Sequence, residues 1–596
     1  STISNQNYPN IYGNWYWGAR HQLLIRASEL TAAGLTSGNI TSLAFDVITP
    51  DPAVYDYIDI SMQLTNITAL SSLFEPLNLN LNLHTNFSIG SSGETIYLYS
   101  PTATLLSSLN IDGLDVNHSR GSFPDSSANI VLFQTPTPEA SNNSSFTFEY
   151  YAAEPLFSLS PGIYPSTVNV SMVNMQGGSS VITYTTDGSE PNVFSPQFTG
   201  TPIVISSNTV LKARCFDWGY LPSELTAGSY LIGVNHTTPI ISMITENSNL
   251  YGFTGIFDNW WTDWEKPAYV DYFDSTNMLI FSQRSGVQID GGAGGSRSQP
   301  QHSMRLELND GVLGDGAVWY NIIPNRGTRN KFSDFYLRNG SNMYLTFPYK
   351  DAAQVQMMVG ATKGYYSSWR PVTVYINGSY FGLYELREKF NAEYFTTLEG
   401  ADPDSTDLLS LSFWNGGVLR AVMGSVDTFY NDYNQFNLLN TADTGYWASA
   451  DQYFDMEYYT DYIIAQSWMG NVDWPNNNIK LYRSNSTDFR WRFCLIDQEL
   501  ALDPYGWTDC TYDHISFMLG QNPANPYINI WLKSMQNGKF YNYFINRFAD
   551  VMNTSYLPQR LDDIENTMFT LTEDEMPDEY NKWGNPDIQG QMLDFY

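Results

Sequence analysis

Asp473 and Asn478 stand five positions apart in the run Asp473-Trp474-Pro475-Asn476-Asn477-Asn478, and an apolar segment then leads to Asp497-Gln498-Glu499. A carboxylate held in a loop can take the proton of a hydroxyl as its oxygen attacks phosphorus. An amide oxygen and a second carboxylate are hard ligands that hold Mg²⁺ without cancelling its charge. These types in this order suit metal-assisted phosphoryl transfer, with Asp473 as the base and Asn478 and Asp497 as metal ligands.

The flanking pattern supplies the elements that must position them. Apolar residues recur at helical spacing over 453–466, and again near 540–552 and 560–570. The first of these helices is expected to end near Met469-Gly470, because Gly470 can take the left-handed turn that closes a helix. Pro475 forbids a simple continuation, so Asp473 falls in a loop. Asn478 opens a strand through Ile479, Lys480, Leu481 and Tyr482, and a second strand, 491–496, returns after an Arg-Ser-Asn-Ser turn. A hairpin of this kind brings Asn478 and Asp497 together.

Composition sets the frame. A chain of 596 residues is too long for one core, and typical domain sizes predict about three to five domains. With 28 basic and 61 acidic residues the net charge is −33, which repels nucleic acid and anionic membrane. It repels ATP as well, so a nucleotide site here must carry its own cations and metal. Heavy use of tyrosine (42 residues) fits β-rich extracellular proteins. No apolar run reaches membrane-spanning length. The start at Ser1 resembles a processed secreted protein, so an extracellular or cell-surface location is expected. Cys215, Cys494 and Cys510 have no metal-ligand spacing; Cys215 reads as a core residue, and Cys494 with Cys510 is a candidate disulfide.

The first part of the chain reads as β modules. Residues 1–75, with Tyr12-Gly13-Asn14-Trp15-Tyr16-Trp17, look like small β modules at the front of Bacteroidota surface proteins. Residues 76–152 resemble the bacterial lamin-tail-like β-sandwich through Thr85-Asn86-Phe87, Ser91-Ser92-Gly93-Glu94 and the run from Ser119 to Asn142. Residues 153–233 carry Ile182-Thr183-Tyr184-Thr185-Thr186-Asp187-Gly188 and the alternating Thr209-Val210-Leu211-Lys212-Ala213-Arg214. They resemble the Ig-like C-terminal domain of chitobiase-type enzymes, a module that serves mostly as a rigid spacer and makes carbohydrate a further candidate partner.

From 234 to 596 the texture becomes α+β. Asp473-Trp474-Pro475-x-Asn477-Asn478, Lys480-Leu481-Tyr482-Arg483 and Trp491-Arg492-Phe493 resemble the CotH-type secreted kinases, related to spore coat protein H. Gly292-Ala293-Gly294-Gly295-Ser296-Arg297, the run from Phe335 to Ser341 and the run from Tyr375 to Tyr384, continuing to Glu388, extend the likeness in order. The expected fold class is therefore multidomain, with N-terminal all-β sandwich modules followed by a large α+β atypical protein-kinase-like domain.

The resemblance implies transfer of the ATP γ-phosphate, with Mg or Mn, to Ser or Thr of an exported protein. Carried over by position, Asp473 is the base, and Asn478, Asp497 and Glu499 are metal ligands. Gly294 and Ser296 belong to a candidate phosphate-covering loop whose backbone N–H groups can form an anion nest. Arg297, Arg305 and Arg338 are candidates for the local positive charge. Two positions depart from the family, His302 and Glu499. His302 stands where a lysine is expected, which replaces a permanent cation by a side chain mostly neutral at pH 7, and Glu388 is expected to lack its lysine partner. Glu499 replaces an Asp. These departures support an alternative reading, a catalytically weakened kinase-like scaffold with a structural or adhesive role and a surface-assembly partner.

Overall fold

Period-two alternation dominates the described residues as far as position 289, and most of it folds as strands. The computed structural model describes residues 93–584, apart from 115–117, 139, 293, 309–312, 325–328, 345–346, 415, 503–505 and 510. The expected module over 1–75, the first part of the lamin-tail-like segment and Cys510 thus lie outside the described residues. Among those described, Gly93–Tyr99 pairs antiparallel with Leu105–Asp112, and Ser119–Ser122 with Ile130–Phe133. The Asp125 carboxylate accepts from the Asn142 N–H at 2.9 Å, which ties the second pair to the segment after it.

The next unit is a small sandwich. Strands Gly162–Tyr164, Thr226–Ile232, Thr209–Phe216 and Val181–Thr185 form one sheet in that order, and Val168–Val170 pairs with Ile203–Ile205. Val170, Ile182, Ile205, Leu211 and Tyr230 fill the space between them. Cys215 is fully buried on the Thr209–Phe216 strand.

A closed barrel follows, built from β1 (Ile240–Ile244), β2 (Glu265–Phe273), β3 (Leu279–Ile289), β4 (Met304–Glu307), β5 (Asp334–Arg338), β6 (Trp369–Ile376) and β7 (Ser379–Arg387). Around the barrel the order is β1-β2-β3-β4-β5-β7-β6, and a parallel pairing of β6 with β1 closes it. Alternation decides which side chains go inside. Val270, Val287, Met304, Leu306, Leu337 and Leu386 form the core, while the intervening residues face outward.

One outward face carries the sandwich. Asp271 on β2 is fully buried; its carboxylate accepts from the Ser229 N–H at 2.6 Å and from the Ser282 hydroxyl at 2.5 Å. Leu231, Ile240, Phe273 and Tyr375 pack together beside it, as do Val210, Ala227 and Ile244. The module expected as a spacer is therefore joined to the barrel wall by a continuous apolar and hydrogen-bonded seam.

The rest is helical around a second sheet. Helices α1 (Lys350–Met358), α2 (Ala392–Glu399), α3 (Val426–Leu438), α4 (Met456–Trp468), α5 (His514–Leu519), α6 (Pro526–Ser534), α7 (Gly538–Thr554), α8 (Pro558–Thr570) and α9 (Met576–Trp583) accompany strands β8 (Thr406–Leu411), β9 (Arg420–Met423), β10 (Ile479–Ser484) and β11 (Arg492–Leu495). The sheet order is Tyr365–Tyr366, β11, β10, β8, β9. Helix α4 is buried on nearly every side at the centre of this lobe, and its Asp461 is paired with Arg547 at 2.7 Å. Tyr462, Ile463, Trp474, Leu481, Phe493 and Trp531 belong to its core, separate from that of the barrel. Two cores make two lobes.

Candidate active site

The loop that carries Asp473 begins where α4 stops. Asp455 caps the start of the helix by accepting from the Tyr458 N–H, and Gly470 at φ 62° turns the chain out of its end. Trp474 is driven into the lobe core, 1 % exposed, and anchors the loop. The three asparagines then divide the work. Asn476 accepts from the Asn525 amide at 3.2 Å, which ties the loop to the start of α6. Asn477 donates to Asp473 Oδ2 at 2.8 Å and accepts from the Phe413 N–H at 2.7 Å. Asn478 donates to the same Asp473 oxygen at 2.8 Å. A carboxylate only accepts, so both asparagines present Nδ2 to it, and Oδ1 of Asn478 is turned away.

These contacts fix Asp473 in place while its other oxygen remains able to accept a proton. Burial raises its pKa above the ordinary value; the Asn477 hydrogen bond opposes this, and the nearby Asp497 charge adds to it. A base of that kind holds a proton more tightly than a surface aspartate.

The hairpin forms as expected. β10 and β11 pair antiparallel with Leu481 opposite Phe493 and Tyr482 opposite Arg492. Continued outward, this register sets Asp497 across from position 477, one step from Asn478. Both Asn478 (φ 53°) and Asp497 (φ 55°) occupy the left-handed region, which aspartate and asparagine tolerate better than most residues. Where the strands end, Asp351 from the first turn of α1 joins Asp497 and Glu499, and their oxygens lie within 4.8 Å of one another. Asp351 is fixed by the Gln498 N–H at 2.5 Å and by Arg387 at 2.7 Å.

Arg338 crosses from the barrel to meet this cluster, with Nη2 2.5 Å from Asp497 and also bonded to Glu499. Burial alone would raise the Asp497 pKa, but the Arg338 charge holds it below the ordinary value. Burial pushes Glu499 well up, with Arg338 opposing and the Asp497 charge reinforcing. Like charges in one small site separate in this way. The three carboxylates form an all-oxygen donor set, which fits Mg²⁺ or Mn²⁺ and not a soft metal.

The barrel faces this cluster with a charged wall. Arg305 on β4 lies opposite Gln288 and Tyr336, and Glu307 lies opposite Asp334. Arg305 bonds Glu307 at 2.5 Å and Gln288 at 2.7 Å. Lys389 bridges Glu307 at 3.0 Å and Asp334 at 2.6 Å. Lys480 on β10 comes near the same group, and its pKa falls because it is buried. Arg305, Lys389 and Lys480 thus gather on one wall, the first two paired with Glu307 and Asp334.

The glycine-rich turn joins β3 to β4. A Cβ at Gly295 would stand 2.5 Å from the Asn342 nitrogen, so the loop can lie this close only with glycine there. A Cβ at Gly294 would meet only Asn342 Oδ1, at 3.5 Å. Ser296 is buried, and its carbonyl accepts from the Ser303 N–H at 2.8 Å. Arg297 is spent within the protein: it donates to the carbonyls of Gly291 at 2.7 Å, Trp260 at 3.1 Å and Thr262 at 2.9 Å, and pairs with Asp263 at 2.5 Å.

Three sequence candidates lie apart from the cluster or are otherwise engaged. The guanidinium of Arg297 locks the turn. His302 shares its parity with Met304 and Leu306 and so points to the barrel interior, with its ring centroid 4.8 Å from that of Phe257. Glu388 has a buried arginine partner in place of a lysine: Arg329 at 2.6 Å, with the Ser368 N–H at 2.9 Å. Asp473, Asn478, Asp497, Glu499 and Arg338 come together, and Arg305 lies on the facing wall. Asp351, Arg387, Lys389 and Lys480 were not among the candidates. Lys480 had a signal in its place two residues after the asparagine run, and Asp351 only that of a first-turn acid.

With this geometry in hand, comparison with known proteins bears on the whole molecule. The family described as CotH kinase protein matches residues 287–594, from within β3 to beyond α9. The chitobiase/beta-hexosaminidase C-terminal domain matches residues 159–227, the sandwich. No curated protein gives a significant match. The CotH match covers more than half of the chain and contains the asparagine-pinned aspartate, the hairpin and the carboxylate cluster. The chain therefore belongs to the CotH kinase family, with a chitobiase-like domain ahead of the CotH region.

Proposed function

We propose that this chain is a protein kinase that transfers the γ-phosphoryl group of ATP to a Ser or Thr hydroxyl of an exported protein, outside the cell. The observation that carries this reading is Asp473, held by two amides at 2.8 Å beside the hairpin that brings Asn478 and Asp497 into reach. Family membership implies ATP, a divalent cation and a protein substrate.

Asp473 accepts the proton of the attacking hydroxyl as the new O–P bond forms, and ADP leaves with the bridging oxygen. Asn478, Asp497, Glu499 and Asp351 are the residues that would hold the metal. When bound, the metal neutralises charge on the transferring phosphate. Arg305, Lys389 and Lys480 draw the triphosphate between the lobes, and the Gly291–Ser296 turn covers it. Exported substrates and a location outside the cell are supported by composition and by the accessory β modules.

A second reading, a structural scaffold, is favoured by one observation. Asp351 and Asp497 already have internal cation partners in Arg387 and Arg338. Thermal unfolding with millimolar ATP and Mg²⁺ or Mn²⁺ separates the two. A stabilising shift that disappears in Asp497→Ala supports the kinase, and no shift with either metal supports the scaffold. Asp473→Ala should abolish transfer while leaving the shift in place.

A further inference from the structure

A cavity of about 460 Å³ opens at the barrel rim where β7 begins, lined in part by Tyr251, Phe257, Asp258, His302, Phe381 and Trp583. It is separate from the catalytic cleft. Phe381 and Arg387, which pairs with Asp351, lie six residues apart on β7, about 20 Å of extended strand.

The walls are aromatic, with two rings stacked and two more set nearly at right angles to them. Phe257 stacks on Phe381 with centroids 5.5 Å apart, Trp583 stands at 87° to Phe381, and Tyr251 stands at 88° to Phe257. The Trp583 ring is fixed as a wall because its N–H donates to the Phe381 carbonyl at 2.9 Å. Polar groups of three kinds reach the same space. Asp258 brings a carboxylate and Lys582 an ammonium, so their charges cancel. His302 brings a neutral acceptor: a carbonyl can only accept, so Nδ1 donates to Arg297 O at 2.5 Å and Nε2 carries the lone pair. Burial lowers the pKa of this ring and keeps it uncharged.

This lining selects a ligand class. The Lys582 ammonium lies 5.9 Å from the Phe381 centroid and 5.5 Å from that of Trp583, so the place most favourable to a cation is already taken. A matching ligand is neutral, lays an apolar face on the rings and offers hydroxyls that both donate and accept. We propose that this cavity binds a saccharide. The site depends on neither ATP nor metal, and it gives His302 a role away from the phosphates.

Saturation-transfer NMR on the full chain, with glucose, galactose and N-acetylglucosamine as probes, tests the site. Tyr251 is 44 % exposed and Asp258 is also exposed, so both can be replaced without emptying a core. The expected result is transfer to the ring protons of at least one sugar. Tyr251→Ala and Asp258→Asn should each weaken binding about tenfold, and Asp497→Ala should leave it unchanged. Absence of transfer from all three sugars overturns the proposal. So does binding that survives both substitutions, or a response to choline or ATP without one to any sugar.

Discussion

Asp473 shows how one residue's protonation is set by its neighbours. As the proposed base it must be ionised to accept a proton, so the rate should fall as pH drops through its pKa. Burial lifts that pKa, so the acid limb of the kcat profile should lie above the ordinary carboxylate range. The Asn477 hydrogen bond pulls the other way, so Asn477→Ala should move the limb to still higher pH; a pH–rate series on both proteins measures it. Arg338 is bonded to two acids at once, and Arg338→Ala leaves them uncompensated. A loss of about 3 kcal/mol is expected without metal, with part of it recovered in Mg²⁺, read from melts in each condition. Recovery by Mg²⁺ would show that ion and guanidinium compensate the same charge. At this scale the sequence was legible where partners are local. Asp473, Asn478 and Asp497 are set by one loop and one hairpin. Asp351 arrives from a helix more than a hundred residues earlier and is marked only as a first-turn acid. His302 was assigned to the phosphates by position, although the alternation Met304-Arg305-Leu306-Glu307, extended back two residues, already turns it toward the core.

At the scale of elements, the catalytic loop and the glycine-rich turn depend on close packing from opposite lobes. Trp474→Ala removes a fully buried ring beneath Asp473, and such truncations cost about 3–5 kcal/mol. The expected outcome is a lower Tm together with lost transfer. Gly295→Ala should separate the two effects. Its Cβ meets backbone at 2.5 Å, so the turn must shift away from Ser341 and Asn342. A misplacement of that size should reduce kcat by roughly a hundredfold with little change in Tm, as activity and melting assays would show together. The helix over Met456–Trp468 and the hairpin were readable because period and stop signals agree: apolar repeats, then Gly470, then Pro475. The closed barrel was not readable. Nothing local to Ile240–Ile244 or Trp369–Ile376 states that these strands, more than a hundred positions apart, pair in parallel to complete the ring.

For the whole molecule, Asp271 governs the seam between sandwich and barrel. Burial raises its pKa to about 6, with hydrogen bonds from Ser282 and Ser229 opposing. An unfolded aspartate titrates near 3.9, so between about pH 4 and 6 the folded state binds more protons than the unfolded one. Stability from this group therefore falls as pH rises through that window and stays reduced above it. Asp271→Asn keeps an acceptor for the Ser229 N–H and removes the buried charge. It should gain on the order of 3 kcal/mol above pH 6 and little near pH 4, measured as a Tm gap that widens with pH. In sequence Asp271 reads as an ordinary outward polar residue, so the seam was invisible and the module looked like a spacer. The seam also sets how load travels. A pull applied from the N-terminal side reaches the barrel wall through Ser229 and Asp271 before it can stretch the short link to β1. Strain in the sandwich would then be felt first by the lobe that carries the glycine-rich turn.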